Sequence, residues 1–369
     1  MGLELVAAQN ILITGGTGLI GSHLSGALAE QGHKIQVLSR NSRFSVPEAI
    51  NASVSSKIEV IAGELDNRAL LEELVNKSDI IFYKAASVGA AGAVENAKDF
   101  VENNLGATAN LVDVLRASKH RVRHIILGSS ISVYGEGVYN CSNCQLVRPP
   151  LRYKLDTASA PINWDPLCPK CGSALTPADT REDSEKLGES TYAVTKKAQE
   201  ELLIGTCKLL GIVLSIFRYG TVIGAGQSWH NPFTRFLELA LSGEAPVLHE
   251  DGKQSRDFMF VEDVVKANLA IMDRQLSGIN IFNVTSGEST ALIDFATLIA
   301  EDMASALKKK AVLPTIDGRF IPGDVRHCHT DCGKLASATG LKPQKNLKEG
   351  VAHLVEWFVR KKHHPVSNV

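Results

Sequence analysis

The 369-residue chain carries 39 Lys+Arg against 40 Asp+Glu, a formal net charge of −1, with 44% hydrophobic and 21% charged residues and 7 cysteines. Balanced charge argues against a general nucleic-acid binder, the apolar content excludes a disordered chain, and no apolar run reaches the ~18–20 residues that span a bilayer. The cysteine count is odd, unlike a disulfide framework, and the stretch from Met1 to Asn10 carries Glu4 and no basic residue, unlike a signal peptide. The expectation is a cytoplasmic globular protein: one large α/β domain with an appended lobe, or two domains of ordinary size.

The apolar run at 10–14 ends in a glycine cluster, as a buried parallel strand does, and helical spacing follows from Leu19 to Gln31. Strands are predicted at 34–38, 58–61, 79–83 and 124–127, with helices at 67–76 and, long and amphipathic, at 99–119. This alternation predicts a doubly wound parallel sheet. Between Gly137 and Asp183 the pattern breaks: six prolines and four cysteines occur without periodicity, over a length too great for a connection, so this is an inserted module. A helix at 191–210 and a strand at 212–217 resume the alternation. Residues 1–225 thus read as a Rossmann domain interrupted by 137–183, and 226–369 as a mainly substrate-binding lobe, with a segment near 255–285 returning to the sheet.

The first glycine cluster reads Gly15-x-x-Gly18-x-x-Gly21, directly between strand and helix. Glycines allow the tight turn and the close approach of a pyrophosphate, which then faces a helix N-terminus. At the end of the second strand, where an acid would bind a ribose 2′-hydroxyl, stand Ser39, Arg40, Asn41, Ser42 and Arg43. Arg40 can hold a 2′-phosphate, which points to NADP; the other reading is a solvated arginine beside an NAD site.

Tyr192 and Lys196 lie four apart at the start of a helix, on one face, where an ammonium favours the phenolate. A serine run, Ser129-Ser130-Ile131-Ser132, follows the fifth strand and can orient a substrate alcohol. Cys141-x-x-Cys144 is followed after 23 residues by Cys168-x-x-Cys171. Two such pairs make a four-thiolate site for a structural zinc ion, which would hold a loop that lacks a core of its own.

Together these motifs resemble the extended short-chain dehydrogenase/reductase family, and within it the NAD-dependent nucleotide-sugar epimerases. Further matching segments are Ala85-Ala86, the stretch from Asn104 to Thr108, Arg218 to Gly224, Asp251 to Phe258, and Pro322 to Cys328. The resemblance implies a catalytic set of Ser130, Tyr192 and Lys196. It implies cofactor contacts from Gly15, Thr17, Gly18, Leu19, Ile20, Gly21, Arg40, Glu64, Leu65, Ala85, Ala86, Asn104 and Tyr219, beside Tyr192 and Lys196. As substrate contacts it implies Ser87, Ser132, Thr221, Asn231, Arg256, Arg319 and Arg326, the arginines suiting a diphosphate. The family's 4,6-dehydratases carry Asp-Glu and its decarboxylases a Glu where this chain has Ile131-Ser132, leaving epimerisation or simple reduction. The insertion is similar to that of dTDP-L-rhamnose 4-epimerases. Two positions depart from the family pattern: Ile321 stands in place of an arginine, and Tyr83-Lys84 in place of His-Leu. The expected activity is 4-epimerisation of a nucleotide-diphosphate sugar through a 4-keto intermediate, with an NADPH-dependent keto-sugar reductase or a non-catalytic dinucleotide-binding scaffold as alternatives. The resemblance also implies a homodimer.

Overall fold

The computed structural model describes residues 8–40, 52–89, 97–155, 162–228, 231–341 and 346–363; of the residues named above, 1–7 and 41–43 lie outside them. The first half alternates as expected: β1 (Asn10–Thr14), α1 (Leu19–Glu30), β2 (Lys34–Ser39), β3 (Ile58–Ala62), α2 (Arg68–Lys77) and β4 (Ile80–Tyr83). In β1, Ile11 and Ile13 face one side of the sheet and Leu12 the other, because successive strand side chains alternate.

The helix expected over 99–119 is interrupted. α3 (Ala97–Phe100) passes into a π-helical turn (Val101–Gly106) before α4 (Ala107–Ala117). The wider turn leaves the Asn104 carbonyl to accept from Gln199 Nε2 at 3.1 Å and Thr108 Oγ1 at 2.7 Å. β5 (His124–Ser130) follows, then three short antiparallel strands in the insertion: β6 (Val138–Cys141), β7 (Gln145–Val147) and β8 (Leu175–Ala178).

α5 (Thr191–Leu210) is capped by the Ser190 side chain, which accepts from the Ala193 N–H, and ends at Gly211 in the left-handed conformation. Next come β9 (Val213–Tyr219), β10 (Thr221–Ile223), α6 (Pro232–Ser242), β11 (Val247–Leu248), β12 (Ser255–Phe260), α7 (Val261–Met272), β13 (Ile279–Val284) and β14 (Ser289–Ala291). The chain closes with α8 (Leu292–Leu307), β15 (Thr315–Ile316), α9 (Gly333–Thr339) and α10 (Leu347–His363).

The main sheet has seven parallel strands in the order β13-β9-β5-β4-β1-β2-β3. Of the segment expected to return to it, only Ile279–Val284 does so; Ser255–Phe260 pairs with β10 and β14 in a separate small sheet. α1 and α7 cover one face, packing Leu24, Leu28, Val264 and Ile271 against Ile13, Phe82 and Phe217. α2, α4 and α5 cover the other, through Leu71, Leu111 and Leu203 against Ile81, Leu127 and Ile216. Strand order reverses between β1 and β4, and a ligand crevice opens beyond the carboxyl ends of the strands at such a switch point.

Candidate active site

A cavity of about 1010 Å³ lies at that switch point. One end is the glycine turn. Gly15 has φ +69°, and a Cβ there would meet Ala85 Cα and N at 2.7 Å; one at Gly21 would strike the Gly15 carbonyl at 2.4 Å. Only glycine permits this close approach of the β1–α1 turn to β4. Thr17, Gly18, Leu19, Ile20, Arg40, Glu64, Leu65, Ala85 and Ala86 line the cavity, and Thr17 Oγ1 bonds Ser39 Oγ at 2.9 Å. An elongated cleft with bare backbone at a helix N-terminus fits a dinucleotide pyrophosphate.

The other end holds Ser130, Tyr192, Lys196 and Tyr219. Alternation along β5 buries Ser129 and presents Ser130 to the cavity, where its hydroxyl hydrogen-bonds the Tyr192 phenol. The expected depression of that phenol by Lys196 is not met. Burial pushes Tyr192 up to about 12, against the effect of Ser130. Lys196, 2% exposed, donates from Nζ to Gln199 Oε1 at 2.6 Å, and burial pushes its ammonium down to about 8. Asn104, expected to touch the cofactor, is not among the described lining residues; its Oδ1 accepts from Ser87 N at 2.7 Å, and its Nδ2 donates to Ser87 O and Thr195 Oγ1, each at 3.0 Å.

Beneath the catalytic set lies a buried network that local spacing does not reveal. Glu200 accepts from Ser129 Oγ (2.6 Å), Arg218 Nε (3.0 Å), Arg218 Nη2 (2.8 Å) and Lys186 Nζ (3.1 Å). Arg218 Nη1 also donates to the Tyr134 hydroxyl at 2.7 Å, which donates to Asn283 Oδ1 at 2.7 Å. This ties β5, α5, β9 and β13 together directly under Ser130. Lys84 is a second residue missed as a site member; it lines the cavity, and its sequence signal is a lysine directly after a buried apolar strand.

Among the predicted substrate contacts, Ser87 and Asn231 line the cavity, while Ser132, Thr221, Arg256, Arg319 and Arg326 are not among its described lining residues. Asn231 also caps α6 through the Phe233 N–H. Arg256 is held by Asp324, with Nη2 at 3.0 and 3.1 Å from the two carboxylate oxygens. Arg319 is exposed, donating to His249 Nε2 at 2.7 Å. Arg326 is 1% exposed, and each nitrogen of its guanidinium is engaged, by Asp165 (2.7 Å), Asp251 (2.7 and 3.0 Å) and Glu250 (3.1 Å). Such a cage serves structure: Arg326 joins the insertion, through Asp165, to the C-terminal lobe.

The ligand atoms of Cys141, Cys144, Cys168 and Cys171 all lie within 4.8 Å of one another. Tetrahedral zinc–thiolate bonds of about 2.3 Å put sulfurs about 3.8 Å apart, so the four thiols fit that ion. Cys207 and Cys328 are buried elsewhere.

Residues 11–153 and 170–285 match the NAD dependent epimerase/dehydratase family. The chain belongs to this family. The dTDP-L-rhamnose 4-epimerase of Burkholderia thailandensis is 30% identical over 365 residues, covering 97% of each chain. A UDP-N-acetyl-alpha-D-glucosaminuronate decarboxylase of Bacillus cytotoxicus is 26% identical, over 95% of this chain and 98% of its own. Among solved structures, a UDP-N-acetylglucosamine 4-epimerase from Methanobrevibacter ruminantium M1, in complex with UDP-N-acetylmuramic acid, superposes with a TM-score of 0.74 at 25% identity, covering 96% and 100% of the two chains. In this member of the NAD dependent epimerase/dehydratase family, no described helix is long and apolar enough to cross a membrane.

Proposed function

We propose that this protein is a nucleotide-sugar 4-epimerase that retains one nicotinamide dinucleotide through each turnover. The observation that carries the reading is the gathering of Ser130, Tyr192 and Lys196 at one end of a cleft whose other end is the glycine turn. Ile131 and Ser132 supply neither of the acids that elimination or decarboxylation would need. The relatives named 4-epimerases agree with this.

When bound, the dinucleotide supplies the acceptor and donor of a hydride. The glycine turn would let its pyrophosphate approach the N-terminus of α1, and Lys196 would reach its nicotinamide ribose. Tyr192, its phenolate favoured by a cationic ring bound beside it, takes the proton of the sugar 4-hydroxyl, with Ser130 sharing the hydrogen bond, and returns it after the 4-keto sugar has turned over. The lining near Ser87 and Asn231 holds the sugar loosely enough for that rotation. Arg256 anchors the diphosphate, exchanging one oxyanion, that of Asp324, for another. Arg40 reads the adenosine ribose and favours NADP where NAD is the family's cofactor. Zinc on the four cysteines holds the insertion at the rim of the pocket. Val194, Leu202 and Leu209 recur on one face of α5 and stay exposed with Val101, which suits a homodimer paired through these helices. Reduced thiols suit the cytoplasm.

Native mass spectrometry of the purified protein, followed by incubation with nucleotide-diphosphate sugars with and without NADPH, tests the reading. Co-purified dinucleotide and cofactor-independent turnover support it; stoichiometric NADPH consumption would establish the reductase instead.

A further inference from the structure

The chemistry above leaves Lys84 unused. It follows β4, whose four residues are all buried, and register sets it beside Gly128 of β5. A Cβ at Gly128 would lie 3.2 Å from Lys84 Cδ and 3.3 Å from Tyr219 Cε2, so glycine leaves the lysine room to cross β5. Its Nζ donates to the Tyr219 hydroxyl at 2.9 Å, and that hydroxyl donates to Asn268 Oδ1 at 3.1 Å. The rings of Phe82, Phe217 and Tyr219 surround the ammonium at 5.5, 5.2 and 5.3 Å from their centroids. Among the described residues, neither Lys84 nor Lys196 has a carboxylate within salt-bridge distance. Two amines without a salt-bridge partner, Lys196 feeling Glu200 only at longer range, therefore share the end of the cavity that holds Ser130 and Tyr192.

This step rests on the reading that a nicotinamide ring occupies that end. The geometry points to Lys84 as a positioning residue for hydride transfer: its ammonium disfavours the cationic oxidised ring relative to the neutral reduced one, and so strengthens the cofactor as a hydride acceptor. Hydride uptake breaks the sugar C4–H bond, forms a C–H bond on the ring and cancels the ring's charge; the hydroxyl proton leaves separately, to Tyr192. Burial and the neighbouring Lys196 press the Lys84 ammonium well below the ordinary lysine range, so the bias operates at pH values where this amine keeps its proton. The Tyr219–Asn268 chain fixes the amine's position, which keeps this bias constant as the sugar turns.

A lysine with only a packing role would change affinity for both redox forms alike. The test is to strip the enzyme and measure Kd for the oxidised and reduced forms of whichever dinucleotide, NAD(H) or NADP(H), binds more tightly. Wild type, K84M and K84R are compared, with K84Q replacing K84M should the latter not fold. The expected result is that K84M shifts the ratio of the two Kd values toward the oxidised form by about tenfold, while K84R leaves it near the wild-type value. An unchanged ratio in K84M, or equal loss of both affinities, overturns the proposal. Failure of wild type to bind either form overturns the cofactor reading itself, and this inference with it.

Discussion

The parallel sheet and the cysteine-rich insertion reach order by different means. In the sheet, β1, β4, β5 and β9 are sealed between two helix layers, and Ile11, Leu12, Ile81, Ile126 and Leu214 are wholly buried. Among the described residues, the insertion's apolar cluster comprises the buried Tyr139, Cys141, Val147, Cys168 and Leu175 with Cys144 packed against them, and the three cysteines belong to the thiol site. Its anchors to the rest of the chain are polar and include Asp165 on Arg326, Arg152 on Glu250 at 3.1 Å, and Thr180 N on the His329 carbonyl at 2.9 Å. One region is held by burial of area, the other by a few specific polar contacts. Burial is shared over many side chains and tolerates single changes, whereas a few-point attachment fails when one point is removed.

The largest expected effect belongs to the sheet-borne site. Tyr192→Phe removes the proton acceptor while keeping the ring, so turnover falls by about 10²–10⁴-fold with dinucleotide affinity unchanged; steady-state rates and a binding titration check both halves. Next, Glu200→Gln leaves the buried Arg218 without its counter-charge. It is expected to cost about 3–5 kcal/mol in denaturant unfolding of the whole chain, because removing one partner strands the other charge. The insertion should behave otherwise. Cys168→Ser opens the region between Cys141 and Ala178 to proteolysis, yet moves the main thermal transition by no more than about 2–4 °C, the shift of ~1 kcal/mol in a domain of this class. A loss as large as that of Glu200→Gln would erase the contrast between the two regions.

The smallest effect is a pH dependence. The Lys196 ammonium is pushed down to about 8 in the folded chain, so its burial costs stability below that pH, and the cost is relieved as pH rises toward its ordinary value near ~10.4. Lys196→Met removes this term. Its stability relative to wild type is therefore highest below pH 8 and declines between pH 8 and 10, which paired melting curves will read.

What the sequence made legible were the features set by short spacing: the glycine turn, the Tyr192–Lys196 pair, the serine run and the two cysteine pairs. Each is fixed by a local strand, turn or helix, and periodicity alone orders those elements. Contacts between distant segments were not legible. Arg326 meets Asp165, 161 positions away, and Asp251, 75 away, so a candidate phosphate ligand in sequence becomes a structural pin in three dimensions. In the π-helical turn at Val101–Gly106, the Asn104 carbonyl accepts from Gln199 of α5, 95 positions away. The phenol of Tyr192 rises because tertiary packing buries it, and Lys196 Nζ donates to Gln199 Oε1; four-residue spacing expresses neither.

In the proposed epimerisation the sugar's C4 hydrogen is lent to a resident cofactor and returned. The most direct measurement is turnover of a panel of nucleotide-diphosphate sugars in D2O without added dinucleotide, followed by NMR and mass spectrometry. The expected product is a 4-epimer whose C4 carries no solvent deuterium. Deuterium at C4, or product formed only in proportion to added NADPH, would contradict it.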